Sequence, residues 1–332
     1  MGHFSTGRAL GIMRRTAPFL FFRMAIYFGI AAAWVLATGT GAGIGWGVTA
    51  FGDPDTQLTG ATWGGLVGFG LAGGALYLAR EYLLYVVKAG HIAVMVADLT
   101  DRPLPEGQGQ IAHARAVVTE RFGTASALFA VDQLVKGVIQ AVTGLIQGLL
   151  SILPIPGTGS AMAAVRGYLK VSVGLMDEVI LAHAIRTRSD NPFASAREAL
   201  VLYGQNAKPM LISAAWLTAI VWMLSFVVFL LMLAPAALVV WMMPGAWSAG
   251  GFVFALIFAW AVKAAVVEPF AIACLLQAFF TVTEGQVPNP DWEAKLEGAS
   301  AKFQELGAKA ASWVGVKPAA SAAAQAAAVD PA

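Results

Sequence analysis

Charge is what this sequence has least of. Asp, Glu, Lys and Arg make up 12% of its 332 residues, against about 25% in an ordinary soluble domain. Hydrophobic residues make up 58%, and the mean hydropathy is +0.71. A chain with so little polar surface cannot face water on all sides.

Cysteine is nearly absent. Cys274 is the only one, so no intrachain disulfide can form, and in its apolar run the thiol reads as a small hydrophobe. No segment interleaves Lys and Arg with aromatics, which excludes a nucleic-acid partner. His3, His91, His113 and His183 are scattered, with no HExxH and no cysteine pair to hold zinc. A GxSxG nucleophile turn is missing, and "PGTGS" at 156–160 lacks the Lys of a phosphate loop. The run "GFGLAGG" fits GxGxxG through Gly68, Gly70 and Gly73. It lies inside an apolar stretch, though, and a dinucleotide site needs a strand-to-helix turn there. The sequence assigns no catalytic residue, no metal site and no cofactor.

What is abundant is apolar sequence in runs beyond the ~18 residues that suggest a bilayer span. The expectation is an all-α polytopic membrane protein of about six spans, with amphipathic cytoplasmic helices. A basic cytoplasmic segment, 1–23, holds Arg8, Arg14, Arg15 and Arg23. The helical membrane domain follows over 24–282. Its first span, Met24–Val48, is too long for the h-region of a signal peptide. The second opens near Ala61 and is apolar to Leu78. Two apolar stretches, 125–153 and 161–184, are joined by the turn "PIPGTGS". Span five runs from Leu211 to Leu233 and is broken by Pro235; span six runs from Phe252 to Phe280, with a kink before Pro269. Lys and Arg cluster before span one and in the 80–121 and 186–208 segments, and are missing from 52–60 and 235–249. That bias puts both termini in the cytoplasm, and the expected location is the cell inner membrane.

Glycine is the second abundance, at 36 residues. Gly39, Gly43 and Gly47 recur every four residues, as do Gly41 and Gly45, and Gly64 and Gly68. In a membrane such stripes let helix backbones approach closely, so spans one and two are expected to pack through them. Trp34, Trp216, Trp222 and Trp260 lie deep in the spans. They read first as helix packing and second as walls of a cation cage.

The segment 283–315 reads as a cytoplasmic amphipathic helix. Trp292, Leu296, Ala299, Phe303, Leu306, Ala310 and Trp313 alternate spacings of four and three, a heptad stripe. Its opposite face has Glu and Lys in near balance rather than a basic excess, which favours docking on protein over a lipid surface. Self-association, or a partner helix held through Trp292, Leu296, Phe303, Leu306 and Trp313, is the expected use. Residues 316–332 read as a disordered Ala-rich tail.

The two middle stretches carry charge on one face each. Asp132, Lys136, Gln140 and Gln147 share a helical face in the first; Arg166, Lys170 and Asp177 share one in the second, with Glu178 beside it. Folded about "PIPGTGS", the faces meet, with Lys136 level with Asp177 and Gln147 with Arg166. A charge at mid-bilayer costs about 2.5–3.5 kcal/mol, and pairing offsets that. Two placements stay open: the pair crosses the bilayer, or it lies at the cytoplasmic surface and leaves four spans. Lys263 and Glu268 in span six are further candidates for a polar interior.

The segment "PFASAREALVLYGQNAKPMLI" resembles the cytoplasmic elbow helix of the choline-transporter-like family. Ser195, Ala196, Arg197, Ala199, Leu200 and Asn206 correspond to that elbow, while Gln205 and Leu200 stand where the family has Arg and Phe. The resemblance implies a membrane transport scaffold. By itself the segment also reads as an elbow. Ser195 and Glu198 have capping-box spacing, Pro192 suits a first turn, and Lys208-Pro209 ends the helix. The functional expectation is transport or binding of a small polar or charged solute along the 125–184 seam. The alternative is a non-transporting scaffold acting through its glycine faces and heptad helix.

Overall fold

The computed structural model describes residues 2–79, 84–102, 104–105, 107–122, 130–140, 176–241 and 250–313. Among these every regular element is helical. The chain divides into two units, each built from separate stretches: 17–87 with 219–271, and 1–16 with 88–218 and 272–332.

The first helix, α1 (Thr6–Arg15), starts where the Ser5 side chain accepts the Arg8 N–H and stops at Thr16. One residue later α2 (Ala17–Val48) begins, with Arg23 as its single charge in 32 residues. The expected first span therefore begins earlier than Met24, and Arg23 lies inside the helix rather than ahead of it. At 1.5 Å per residue α2 is about 48 Å long, more than the ~30 Å of a hydrocarbon core.

Helix α3 (Pro54–Ala79) is capped by Asp53, whose carboxylate accepts the Thr56 N–H at 2.8 Å. It runs back along α2 as an antiparallel hairpin, and the two backbones touch. A Cβ placed on Gly41 would overlap the Gly64 carbonyl, one on Gly45 the Gly60 carbonyl, and one on Gly68 the Ala37 carbonyl. The contact register on α2 is thus Gly41 and Gly45. A Cβ on Gly43 or Gly47 would meet nothing within 4 Å, and Gly39 is half-buried. Gly64 and Gly68 on α3 do lie in the contact.

Beyond α3 come α4 (Tyr85–Leu99), α5 (Gln110–Phe122), a helical segment α6 (130–140), α7 (Met176–Thr187) and α8 (Pro192–Gln205). Both α4 and α7 close on the same device. Arg102 N–H reaches Ala97 O and Asp101 N–H reaches Asp98 O; Ser189 N–H reaches Ala184 O and Arg188 N–H reaches Ile185 O. These are Schellman pairs, which need a left-handed residue. Asp101 (φ 51°) and Arg188 (φ 53°) fill the position that glycine usually takes.

The elbow helix α8 is capped by Asn191, whose side chain accepts the Ala194 N–H at 3.0 Å, with Pro192 in its first turn. Ser195 is buried within the helix and is not its cap. A single residue, Asn206, separates α8 from α9 (Ala207–Trp241). Lys208-Pro209 therefore opens the second helix instead of ending the first, since Pro is tolerated in a first turn. Pro235 lies inside α9 and does not break it. An isolated Pro in a long apolar helix removes one N–H, and neighbouring groups can absorb that loss.

Next are α10 (Gly250–Val262), a π-helical turn (Lys263–Val267) and α11 (Glu268–Val282). Among the described residues, three helices are long and apolar enough to cross a membrane: α2, α9 and the continuous stretch Gly251–Val282. Leu36, Ile44, Phe226, Leu230, Leu231 and Leu256 on them are exposed, an apolar surface suited to lipid. The remaining expected crossings are α3 and the segment 125–184, most of which lies outside the described residues.

The heptad stripe does not form one helix. It breaks into α12 (Pro290–Ala299) and α13 (Ala301–Ser312) at Ser300, whose side chain caps α13 by accepting the Phe303 N–H at 3.3 Å. The pair folds back onto α8, burying Leu296, Phe303 and Leu306.

Candidate functional site

Charged side chains are scarce here, so the buried ones locate the chemistry. They fall in two clusters, one in each unit.

In the unit containing 88–218, three helices bring five ionisable groups together. Helix α4 supplies Lys88, α6 supplies Asp132 and Lys136, and α7 supplies Asp177 and Glu178. Lys88 Nζ lies 2.6 Å from Glu178 Oε1, and Lys136 Nζ lies 2.5 Å from Asp132 Oδ2, one turn back on its own helix. Asp177 lies close enough to act electrostatically on both Asp132 and Glu178. Asp132 and Glu178 are each 2% exposed, and Asp177 is 8% exposed. One oxygen of each of the first two, Asp132 Oδ1 and Glu178 Oε2, has no hydrogen-bond partner among the described residues. Among the described residues, three carboxylates stand here beside two ammonium groups.

This cluster gathers four of the residues expected to line the seam: Asp132, Lys136, Asp177 and Glu178. Lys136, expected level with Asp177, pairs with Asp132 one turn back on α6. Asp177 is brought instead to Asp132. Gln140 lies on α6 with its side chain exposed. Gln147, Arg166 and Lys170 lie outside the described residues. Lys88 was missed by sequence reasoning, which took 80–121 as a basic cytoplasmic run. The available signal was its place in "YVVKAGHIAV", one charge in a helical apolar stretch.

In the other unit, Arg23 of α2 is fully buried. Its Nε donates to Ala264 O at 2.8 Å, and its Nη2 lies 3.1 Å from Glu268 Oε2. The guanidinium carbon sits 5.4 Å from the centre of the Tyr27 ring, an attractive cation–π distance. Nη1 has no hydrogen-bond partner among the described residues.

Local backbone chemistry explains why Ala264 O is available. In the π turn the Glu268 N–H reaches back five residues to Lys263 O, not four to Ala264 O. The next N–H in that register would come from residue 269, and Pro269 has none. Ala264 O is left orphaned inside the unit, and a buried carbonyl without a donor costs about 1–3 kcal/mol. Arg23 satisfies it. Of the expected polar residues in span six, Glu268 joins this cluster and Lys263 supplies the backbone carbonyl that closes the turn. Arg23 was read from sequence as part of the N-terminal basic segment. Its spacing of four from Tyr27 and then Ala31, on one face of α2, was the overlooked signal.

A third polar region fastens the C-terminal helices to the elbow. Arg197 Nε donates to Glu293 Oε1 at 2.7 Å, Nη2 pairs with Glu297, and the guanidinium carbon lies 4.7 Å from the Phe303 ring centre. Burial opposes the charge on Arg197, but the two carboxylates outweigh it and hold the group more firmly protonated. Trp313 Nε1 donates to Asp190 O at 2.9 Å, and its ring meets Phe193 edge-on. At the elbow's far end, Gln205 and Asn206 both donate to Gln286 Oε1, at 2.9 and 2.7 Å. The Asn289 N–H donates to Gln205 Oε1, also at 2.9 Å. The two turns are thereby tied together, and Gln205 is one of the ties.

No protein-family model, curated protein or solved structure matches this chain in comparison.

Proposed function

We propose that this chain is a multi-pass inner-membrane protein that binds a small charged solute at the Lys88–Asp132–Lys136–Asp177–Glu178 cluster and passes it across the bilayer. Both termini lie in the cytoplasm in this reading, and six helices cross. The observation that carries it is the burial of Asp132, Asp177 and Glu178 side by side, where the described residues set two ammonium groups beside three carboxylates. Buried carboxylates are costly unless something neutralises them, and a proton or a small monovalent cation does so. Ionisable groups inside membrane proteins mark ion and solute paths by default. The resemblance of the 192–212 elbow to the choline-transporter-like family supports a transport scaffold and says nothing of the solute.

The rival is a scaffold without transport, held to itself or a partner through the heptad stripe. Three of the five residues expected to carry that contact, Leu296, Phe303 and Leu306, are already buried in the chain. That packing weighs against it.

The test is flux in proteoliposomes loaded with a dye that reports the ion on offer, under an imposed potential, with protons, sodium and potassium offered in turn. Uptake above that of empty vesicles, lost in Glu178→Gln and kept in Gly47→Ala, is expected. Wild-type vesicles that pass none of the three would remove the reading.

A further inference from the structure

The α2–α3 hairpin changes character partway along. At Gly41–Gly64 and Gly45–Gly60 the backbones touch, and at Ala37–Gly68 they are nearly as close. One turn further, Trp34 and Phe69 replace small residues, their rings stacked at 5.8 Å and 28°. Two rings cannot fit where two glycines fit, so the helices must part. Trp260 of α10 enters the gap edge-on to Trp34, at 6.3 Å and 88°.

Beyond these rings lies a cavity of about 400 Å³, within the roughly 300–1,000 Å³ of ligand pockets. Trp34, Phe69, Gly73, Leu76 and Trp260 line it together with Leu256 and Tyr77, and the exposure of the last two places them at its mouth. Among the described residues, no charged side chain lines it. Trp34 Nε1 is already engaged, donating to Phe69 O at 3.2 Å.

We propose that this cavity is a binding site for one hydrocarbon chain of a membrane lipid. Two of its three walls, α2 and the Gly251–Val282 stretch, are of membrane-spanning length and composition. The mouth residues Leu256 and Tyr77 are 47% and 72% exposed, so the opening gives onto the phase that surrounds those helices. A lining made mostly of aromatic and aliphatic carbon favours an apolar guest over a hydrated ion or a sugar. A flexible chain fills it by dispersion contact alone. Gly73 keeps the slot open: a Cβ there would reach ordinary contact with the Trp34 ring at 3.7 Å, and a longer side chain would enter the space.

The experiment is photocrosslinking in vesicles of phosphatidylethanolamine and phosphatidylglycerol doped with phosphatidylglycerol carrying a diazirine on one acyl chain. A parallel sample holds the same diazirine on a free fatty acid. Crosslinks on Trp34, Leu76 and Trp260, reduced at least fivefold in Gly73→Leu and unchanged in Gly74→Leu, are expected. Gly74 is the control because a Cβ there meets nothing within 4 Å. Trp34→Ala, which enlarges the slot, should raise the yield on Trp260. Labelling by the phospholipid identifies a bilayer lipid as the source; labelling by the free acid alone overturns that assignment. Labelling spread equally over the outward residues Leu36 and Leu66, and indifferent to Gly73→Leu, would mean ordinary surrounding lipid and overturn the site.

Discussion

Arg23 Nε and the Ala264 carbonyl, 2.8 Å apart, join a buried cation to a backbone group that a π turn and a proline have left without a donor. Each feature accounts for another. The π register releases Ala264 O, Pro269 prevents the helix from recapturing it, and Arg23 occupies it while pairing with Glu268. π turns in long helices recur at functional places, and here the turn has a fixed chemical cause.

Arg23→Ala therefore removes a donor from an orphan carbonyl and a partner from a carboxylate at once. Breaking a buried pair costs about 3–5 kcal/mol. The Glu268 side chain is 32% exposed, so a loss near the lower end, about 3 kcal/mol, is expected in detergent unfolding. Arg23→Lys should recover only part of it, because one ammonium cannot copy the guanidinium's fixed fork. Pro269→Ala restores an N–H for the helix. The double variant Arg23→Ala/Pro269→Ala should be more stable than additivity allows, by about 1 kcal/mol. Strict additivity would sever the proposed link between the proline and the arginine.

The hairpin predicts a contrast between glycines that look equivalent in sequence. Gly64→Val places a side chain against the Gly41 carbonyl and must push the helices apart, at about 1–3 kcal/mol or more. Gly43→Val and Gly47→Val meet open space and should leave the melting temperature within a degree or two. If Gly43→Val proved as disruptive as Gly64→Val, the contact would run along the other stripe.

These cases mark what the sequence makes legible. Composition and run length show the helical, membrane-suited character, because burial in lipid leaves a strong average signal. Close glycine packing is visible too, but not which of two interleaved stripes is used: both have period four, and the choice depends on how the helices rotate. The Asp132, Asp177 and Glu178 grouping follows from charges on matched faces, whereas Lys88 arrives from a helix distant in sequence. The heptad stripe is visible and its apolar face is buried, yet Ser300 splits the helix. A capping serine in mid-pattern is a local signal that the seven-residue period outweighed.

Arg197 predicts the behaviour of the C-terminal helices. Its two carboxylate bonds are charge-assisted, each worth about 1.5–3 kcal/mol when shielded from water, less here because Glu293 and Glu297 are partly exposed. Arg197→Ala should release α12 and α13 from the elbow, read as faster proteolysis between residues 286 and 313 with the rest of the chain intact. High salt should weaken the wild-type clasp in the same direction. Arg197→Glu with Glu293→Arg should restore part of the protection.

Asp101 predicts a gain. At φ 51° it occupies a left-handed C-terminal position where a non-glycine residue costs about 1 kcal/mol or more. Its carboxylate also interacts with Arg15 through space. Asp101→Gly should raise stability by up to about 1 kcal/mol, less the lost attraction to Arg15. Asp101→Val, with a branched side chain in that region, should lower it.

The buried cluster offers the sharpest separation of clamp from conduit. Lys88→Met leaves Glu178 buried opposite an apolar group, and such uncompensated charges cost about 3–5 kcal/mol. Glu178→Gln in the same chain removes that charge, so the double variant should recover most of the lost stability. If the cluster only fastens helices together, function should recover with stability. If it carries a solute, the double variant should be stable and still pass nothing, because the groups that bind the travelling charge are gone. Melting temperature and vesicle flux measured on wild type, both single variants and the double variant give the answer. A double variant that is stable and fully active would leave the cluster a clamp.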